Sequence, residues 1–198
     1  PVVFVVHENR GLNPHIKDVA RRIALEGFIA VAPDLLTPEG GTPDDEDKAR
    51  DMIGKLDPKA AIARLVAGVA FAKSIPESTG KVGAVGFCWG GGMVNQMAVH
   101  APDLDAAVAY YGMQPTADRV PDIKAPLLLH YAGKDERIDA GIAGFEAALK
   151  AAGKSYELFI YEGAQHAFNN DTNSARYDKA AADLAWGRTV AFLKTRLA

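Results

Sequence analysis

One cysteine stands among the 198 residues of this chain, in the stretch Val85 to Gly92, VGFCWGGG. A lone cysteine is ordinarily a small buried hydrophobe. The neighbours of Cys88 argue for chemistry instead. Gly86-Phe87-Cys88-Trp89-Gly90 has the form G-x-C-x-G, after the apolar run KVGAVGF and before the helical run GGMVNQMAVH. A sharp strand-to-helix turn of this kind is a nucleophile elbow, here with sulfur in place of the more usual oxygen. It holds its central residue in strained backbone geometry, and side chains two positions away on either side would collide. The sulfur is lifted out of the strand to a helix N-terminus. There, free backbone N–H groups and the helix dipole favour a thiolate and, later, an oxyanion.

A thiol so placed needs a base, and the base needs an acid to orient it. Asp135, in AGKDERI, follows the apolar run PLLLHY, and His166, in YEGAQHAFNND, follows SYELFIY. A neutral imidazole can take the thiol proton, while a carboxylate on its other nitrogen fixes the tautomer and stabilises the imidazolium. Singly, Asp135 is ordinary turn composition and His166 an ordinary loop histidine. In this order, behind an elbow and at strand ends, Cys88, Asp135 and His166 form a catalytic set. The loop His7-Glu8-Asn9-Arg10-Gly11 follows the first apolar run, VVFVV. A loop in that place donates the second oxyanion N–H. Asn9 is assigned that donor, Trp89 the first, and Glu8 is expected to point at the thiol. His15, His100 and His130 are read as structural.

The elements that must position these groups follow from short apolar runs alternating with longer helical stretches. Strands are expected near Val2 to His7, Phe28 to Pro33, Lys81 to Phe87, Ala106 to Tyr111, Pro126 to Tyr131 and Ser155 to Tyr161. Helices are expected over Pro14 to Glu26, Asp45 to Leu56, Pro58 to Ser74, Gly91 to His100, Ala140 to Ala152 and Ala175 to Leu197. Nearly continuous apolar strands such as VVFVV and PLLLHY need both faces covered. That predicts an α/β, doubly wound, mostly parallel sheet flanked by helices, with functional groups beyond the carboxyl ends of its strands.

Residues 1–198 read as one domain, 48% apolar and 24% charged, with room for a sizeable core. A net charge of −3 carried by both signs offers no basic stripe for nucleic acid and no polybasic face for a membrane. No run of about 18 apolar residues exists to span a bilayer. One cysteine makes no internal disulfide and leaves the redox compartment open. The acidic cluster Asp44, Asp45, Glu46 and Asp47 is read as the start of a helix rather than a metal site. The chain opens at Pro1 inside a strand, so the natural protein is expected to begin earlier. The expected compartment is the cytoplasm, or the periplasm or exterior if an upstream segment carries a signal.

Taken together, HENRGLNPHIKDVARRIALEGFIAVAPDLL, GFCWGGG, AYYG, APLLLHYAGKDERI and YEGAQHAFNND resemble the dienelactone hydrolase (carboxymethylenebutenolidase) family over nearly the whole chain. The resemblance implies an α/β-hydrolase with a Cys-Asp-His triad carried by Cys88, Asp135 and His166, and no cofactor. It further implies a part for Glu8 in thiol activation and a place for Tyr111 near the substrate pocket. Strands that precede VVFVV in the family are absent, so either a shorter sheet or an incomplete chain is expected. In the classical members of the family an arginine four positions after the histidine holds the substrate carboxylate, where this chain has Asn170. Arg10 or Arg137 could replace it, since a guanidinium binds a carboxylate bidentately, or each could be a surface ion-pair member. The substrate-binding residues are taken as Arg10, Tyr111, Phe168 and Asn170.

The expected activity is hydrolysis of enol lactones or activated carboxylic esters through an acyl-thioester, by a monomer or homodimer whose partner is the small-molecule substrate. The rivals are a general carboxylesterase or thioesterase of the same fold, and a redox-sensing protein whose thiol is oxidised rather than acylated.

Overall fold

Short apolar runs, rich in valine, alanine and leucine, become the strands. The computed structural model describes residues 1–198. Its strands are β1 Val2–Val6, β2 Ile29–Val31, β3 Val82–Phe87, β4 Ala106–Tyr110, β5 Leu127–Ala132 and β6 Tyr156–Tyr161. The helices are α1 Pro14–Leu25, α2 Glu46–Lys55, α3 Pro58–Ser74, α4 Trp89–His100, α5 Glu136–Asp139, α6 Ile142–Ala151 and α7 Lys179–Arg196. All six strands are parallel, in the order β2-β1-β3-β4-β5-β6. A parallel sheet needs cover on both faces, and alternate residues of β1 supply both cores. Val2, Phe4 and Val6 join the core with α3, α4 and α6, while Val3 and Val5 join that with α1 and α7.

From β1 the chain crosses to β2 on one side and then returns to β3 on the other. The crevice at the carboxyl ends of β1 and β3 is therefore the switch point at which an open parallel sheet receives its ligand. Glu8 and Asn9 emerge from one of these strands and Cys88 from the other.

Capping side chains set several helix starts. Asn13 Oδ1 accepts the Ile16 N–H at 3.1 Å ahead of α1, and Asp45 Oδ1 accepts those of Asp47 and Lys48 at 2.9 and 3.0 Å ahead of α2. The acidic cluster thus begins a helix, as its composition suggests.

Three boundaries differ from the sequence expectation for physical reasons. Helix α4 begins at Trp89 rather than Gly91, so Gly90 and Gly91 lie inside its first turn. They are there for close approach. A Cβ on Gly90 would stand 2.3 Å from the Val6 carbonyl oxygen, one on Gly91 2.5 Å from that of Tyr110, and one on Gly86 2.2 Å from that of Gly90. Helix α7 begins at Lys179, not Ala175, because the Asp178 side chain caps it by accepting the Ala181 N–H at 3.1 Å. Finally, a short helix, α5, follows Asp135 directly, and α6 starts only at Ile142.

Since α4 cannot withdraw from β1 without opening the core, Gly90→Ala is expected to destabilise the fold by about 2–3 kcal/mol. Urea unfolding would measure it. An unchanged midpoint would contradict the close contact.

Candidate active site

Cys88 lies at φ 55°, ψ −117° between β3 and α4, a conformation that costs a non-glycine residue on the order of 1–3 kcal/mol. The other non-glycine residues at positive φ are Tyr111 (37°) and Ala167 (68°). Ala167 adjoins His166, and the Tyr111 ring lies 5.0 Å from the imidazole. The strained positions of this chain thus gather around one place.

The helix-terminus reading of the thiol needs correction. Burial first, and the Glu8 carboxylate second, push Cys88 up to about 11, against the opposing pull of the Trp89 N–H and Arg137. At neutral pH the resting sulfur is a thiol. Desolvation of a thiolate outweighs the single N–H that the helix terminus offers it.

Asp135 is buried at the carboxyl end of β5, and its Oδ2 is hydrogen-bonded to His166 Nδ1. The carboxylate accepts, so Nδ1 carries the proton and Nε2 is left to exchange one. Cys88, Asp135 and His166 line one cavity of about 820 Å³ together with Glu8. No hydrogen bond joins the sulfur to the imidazole.

Glu8 is held from both sides. Its neighbour His7 is fully buried, with Nδ1 donating to the Glu8 carbonyl at 2.8 Å and Nε2 accepting the Leu35 N–H at 3.2 Å, which fixes the neutral tautomer. The His7 ring stacks on Trp89 at 5.5 Å, so the loop after β1 is keyed to the first residue of α4. The Glu8 side chain accepts the Asn170 Nδ2–H at 3.0 Å through Oε2, while its buried Oε1 has no partner. Burial pushes this carboxyl up to about 7, with the Asn170 hydrogen bond opposing it.

A stability effect follows. An unfolded chain releases this proton near the ordinary glutamate value of 4.5, whereas the folded chain keeps it to about 7. Between those values the unfolded state binds fewer protons, so stability falls as pH rises, by up to about 3 kcal/mol. The stability of Glu8→Gln relative to the wild type is therefore expected to climb by about 2–3 kcal/mol between pH 5 and pH 8. Urea titrations at both pH values test this, and a constant difference would contradict it.

The remaining assigned residues divide. Asn9 and Trp89 line a second cavity of about 470 Å³ that also contains Cys88. Arg10 reaches the large cavity, but its guanidinium is bonded to Asp47 at 2.8 Å. Arg137 lines both cavities. Asn170 lines the large cavity with its amide already used, since Oδ1 accepts both the N–H and the hydroxyl of Thr172 at 3.0 and 2.7 Å. It is a partner of Glu8 rather than a free substrate group. Phe168 and Tyr111 line neither of these cavities. Phe168 is fully buried, 5.0 and 5.3 Å from the Tyr161 and Tyr111 rings, and belongs to the core. Tyr111 is 1% exposed, and its ring packs beside the imidazole.

Arg176 and Met113 were not legible as site residues, yet they line the large and the small cavity respectively. Arg176 sits in the segment expected to be helical. Reading Asp178 as an N-cap would have left it in a loop at the strand ends.

Comparison with known proteins gives the family and the fold. The dienelactone hydrolase family matches residues 1–197. A Saccharolobus solfataricus protein named "Putative carboxymethylenebutenolidase" is 35% identical over 97% of this chain and 88% of its own. "Protein usf" of Aquifex pyrophilus is 37% identical over 100% of this chain and 89% of its own. A crystal structure titled "Putative Dienelactone Hydrolase", from Klebsiella pneumoniae, superposes with a TM-score of 0.88 at 32% identity, over 98% of this chain and 86% of that one. No helix here is long and apolar enough to cross a membrane. With this sheet order and these relatives, the chain belongs to the dienelactone hydrolase family and is a hydrolase of the α/β-hydrolase fold.

Proposed function

We propose that the protein hydrolyses enol lactones and activated carboxylic esters, with Cys88 as nucleophile and an acyl-thioester as intermediate. The observation that carries the proposal is the convergence of Cys88, the His166–Asp135 pair and buried Glu8 on a single cavity. Residues 1–198 act in this reading as one catalytic unit, since these groups come from the carboxyl ends of β1, β3, β5 and β6.

Ionised Glu8 takes the thiol proton through Oε1, a buried carboxylate oxygen with no other partner on the cavity that the sulfur also lines. The sulfur attacks the carbonyl carbon, and the Asn9 and Trp89 N–H groups hold the oxyanion. The C–O bond then breaks, and the departing oxygen takes the proton from Glu8. In the second half, His166 Nε2 removes a proton from water and the hydroxide attacks the thioester. The C–S bond breaks, and the thiolate recovers its proton from the imidazolium that Asp135 has stabilised. Ester and water become acid and alcohol, and every group returns to its starting state.

Sulfur narrows the substrate class. A thiolate is itself a good leaving group, so an adduct with an ordinary alkyl ester tends to expel it again. Enolates and phenolates leave well enough to compete. A redox sensor would account for Cys88 but leaves the His166–Asp135 pair on the same cavity without a role.

Rapid mixing with p-nitrophenyl acetate and with a dienelactone tests the proposal. A burst of nitrophenolate close to one equivalent of enzyme is expected, followed by slower turnover, with the lactone also hydrolysed. Thiol oxidation without turnover of either compound would reject it.

A further inference from the structure

The two cavities that meet at Cys88 differ in chemistry. The larger one, of about 820 Å³, has only three hydrophobic residues among the eighteen that line it, and it carries both the cations Lys134, Arg137 and Arg176 and the carboxyls Glu8, Glu46 and Asp135. The smaller one, of about 470 Å³, is walled by Trp89, Met93, Met113 and Ile138. Only Asn9, Cys88 and Arg137 belong to both. An ester carbonyl seated on the sulfur therefore sends its two halves into different surroundings.

The proton-handling groups decide which half goes where. Glu8 and His166 both line the polar cavity, and neither lines the apolar one. The departing oxygen must reach the proton on Glu8, and the water that later replaces it must reach His166. Leaving group and water therefore share the polar side. Resting on the nucleophilic role given to Cys88 above, we infer that the apolar lobe of Trp89, Met93, Met113 and Ile138 is an acyl-binding subsite. The substrate class is then esters with an apolar acyl half and a polar alcohol half.

The lobe is built rather than incidental. The loop after β4 that carries Met113 is tied to α4 by Asn95 Nδ2, which donates to the Met113 carbonyl at 2.9 Å. It is tied to α5 by Gln114 Nε2, which donates to the Ile138 carbonyl at 3.0 Å. Gly141 leaves room for Gln114, since a Cβ there would stand 2.4 Å from its Oε1. The loop is thereby held against the elbow with a methionine at its tip, and methionine is a side chain suited to variable apolar shapes.

The test is a p-nitrophenyl ester series from acetyl to octanoyl. Each methylene entering an apolar site should raise kcat/KM about three- to fourfold until the lobe is full. Met113 is half-exposed, so Met113→Trp can fill the lobe from its rim without disturbing the core. It is expected to cut the hexanoyl-to-acetyl ratio of kcat/KM at least about tenfold, and Met113→Ala should lower the same ratio more mildly. A flat acyl series would overturn the assignment, as would a Met113→Trp variant that alters alcohol-chain selectivity instead. Cys88-dependent hydrolysis with a flat series overturns the subsite alone. Hydrolysis that persists in Cys88→Ala overturns the nucleophile and this assignment with it.

Discussion

Cys88→Ala is expected to lower kcat/KM for p-nitrophenyl acetate by about a thousandfold or more, with a smaller change in KM. The variant keeps the elbow backbone, and alanine fits the space left by sulfur, so near-UV circular dichroism should stay native. Cys88→Ser should recover little. A serine hydroxyl is far less acidic than a thiol, and Glu8, which titrates at about 7, is too weak a base to strip it. An undiminished rate in Cys88→Ala, measured in steady state against the wild type, would remove the sulfur from the chemistry.

Asp135→Asn should lower steady-state turnover by on the order of a thousandfold while largely sparing the first acylation. Its amide can donate to Nδ1 of His166, which moves the ring proton to Nε2 and abolishes the base there. The proposed first half of the reaction draws its proton transfer from Glu8 and does not use Nε2. A pre-steady-state burst should therefore survive in this variant, followed by almost no turnover. Equal loss of burst and turnover would assign the thiol proton to His166 instead. Stopped-flow release of nitrophenolate separates the two outcomes.

Much of the architecture was legible because its causes are local and periodic. VVFVV and PLLLHY have no polar face, so they had to lie in a sheet covered on both sides, and β1 and β5 do. The G-x-C-x-G spacing fixes its own turn, and the observed Cβ clearances at Gly86 and Gly90 explain both glycines. The stretch after His166 was not legible, because an irregular loop has no period from which to assign a face. Phe168 turns inward onto Tyr161 while Asn170, two residues on, reaches Glu8. The resting state of the thiol was also misread. The helix terminus gives the sign of one contribution, but burial and a neighbouring carboxylate come from residues far along the chain and prevail. The polar lobe was hidden for a similar reason: Arg176 reaches it only because α7 begins at its Asp178 cap.

The central claim is that an acyl group resides on sulfur between two half-reactions. His166→Ala removes the base required for the second half and should let the intermediate accumulate. Mixing this variant with p-nitrophenyl acetate, quenching in acid and mapping peptides by mass spectrometry should find one acetyl group, on the peptide containing Cys88. Release of nitrophenolate by the wild type, with the acetyl group in the variant found on another residue or on none, would contradict the account.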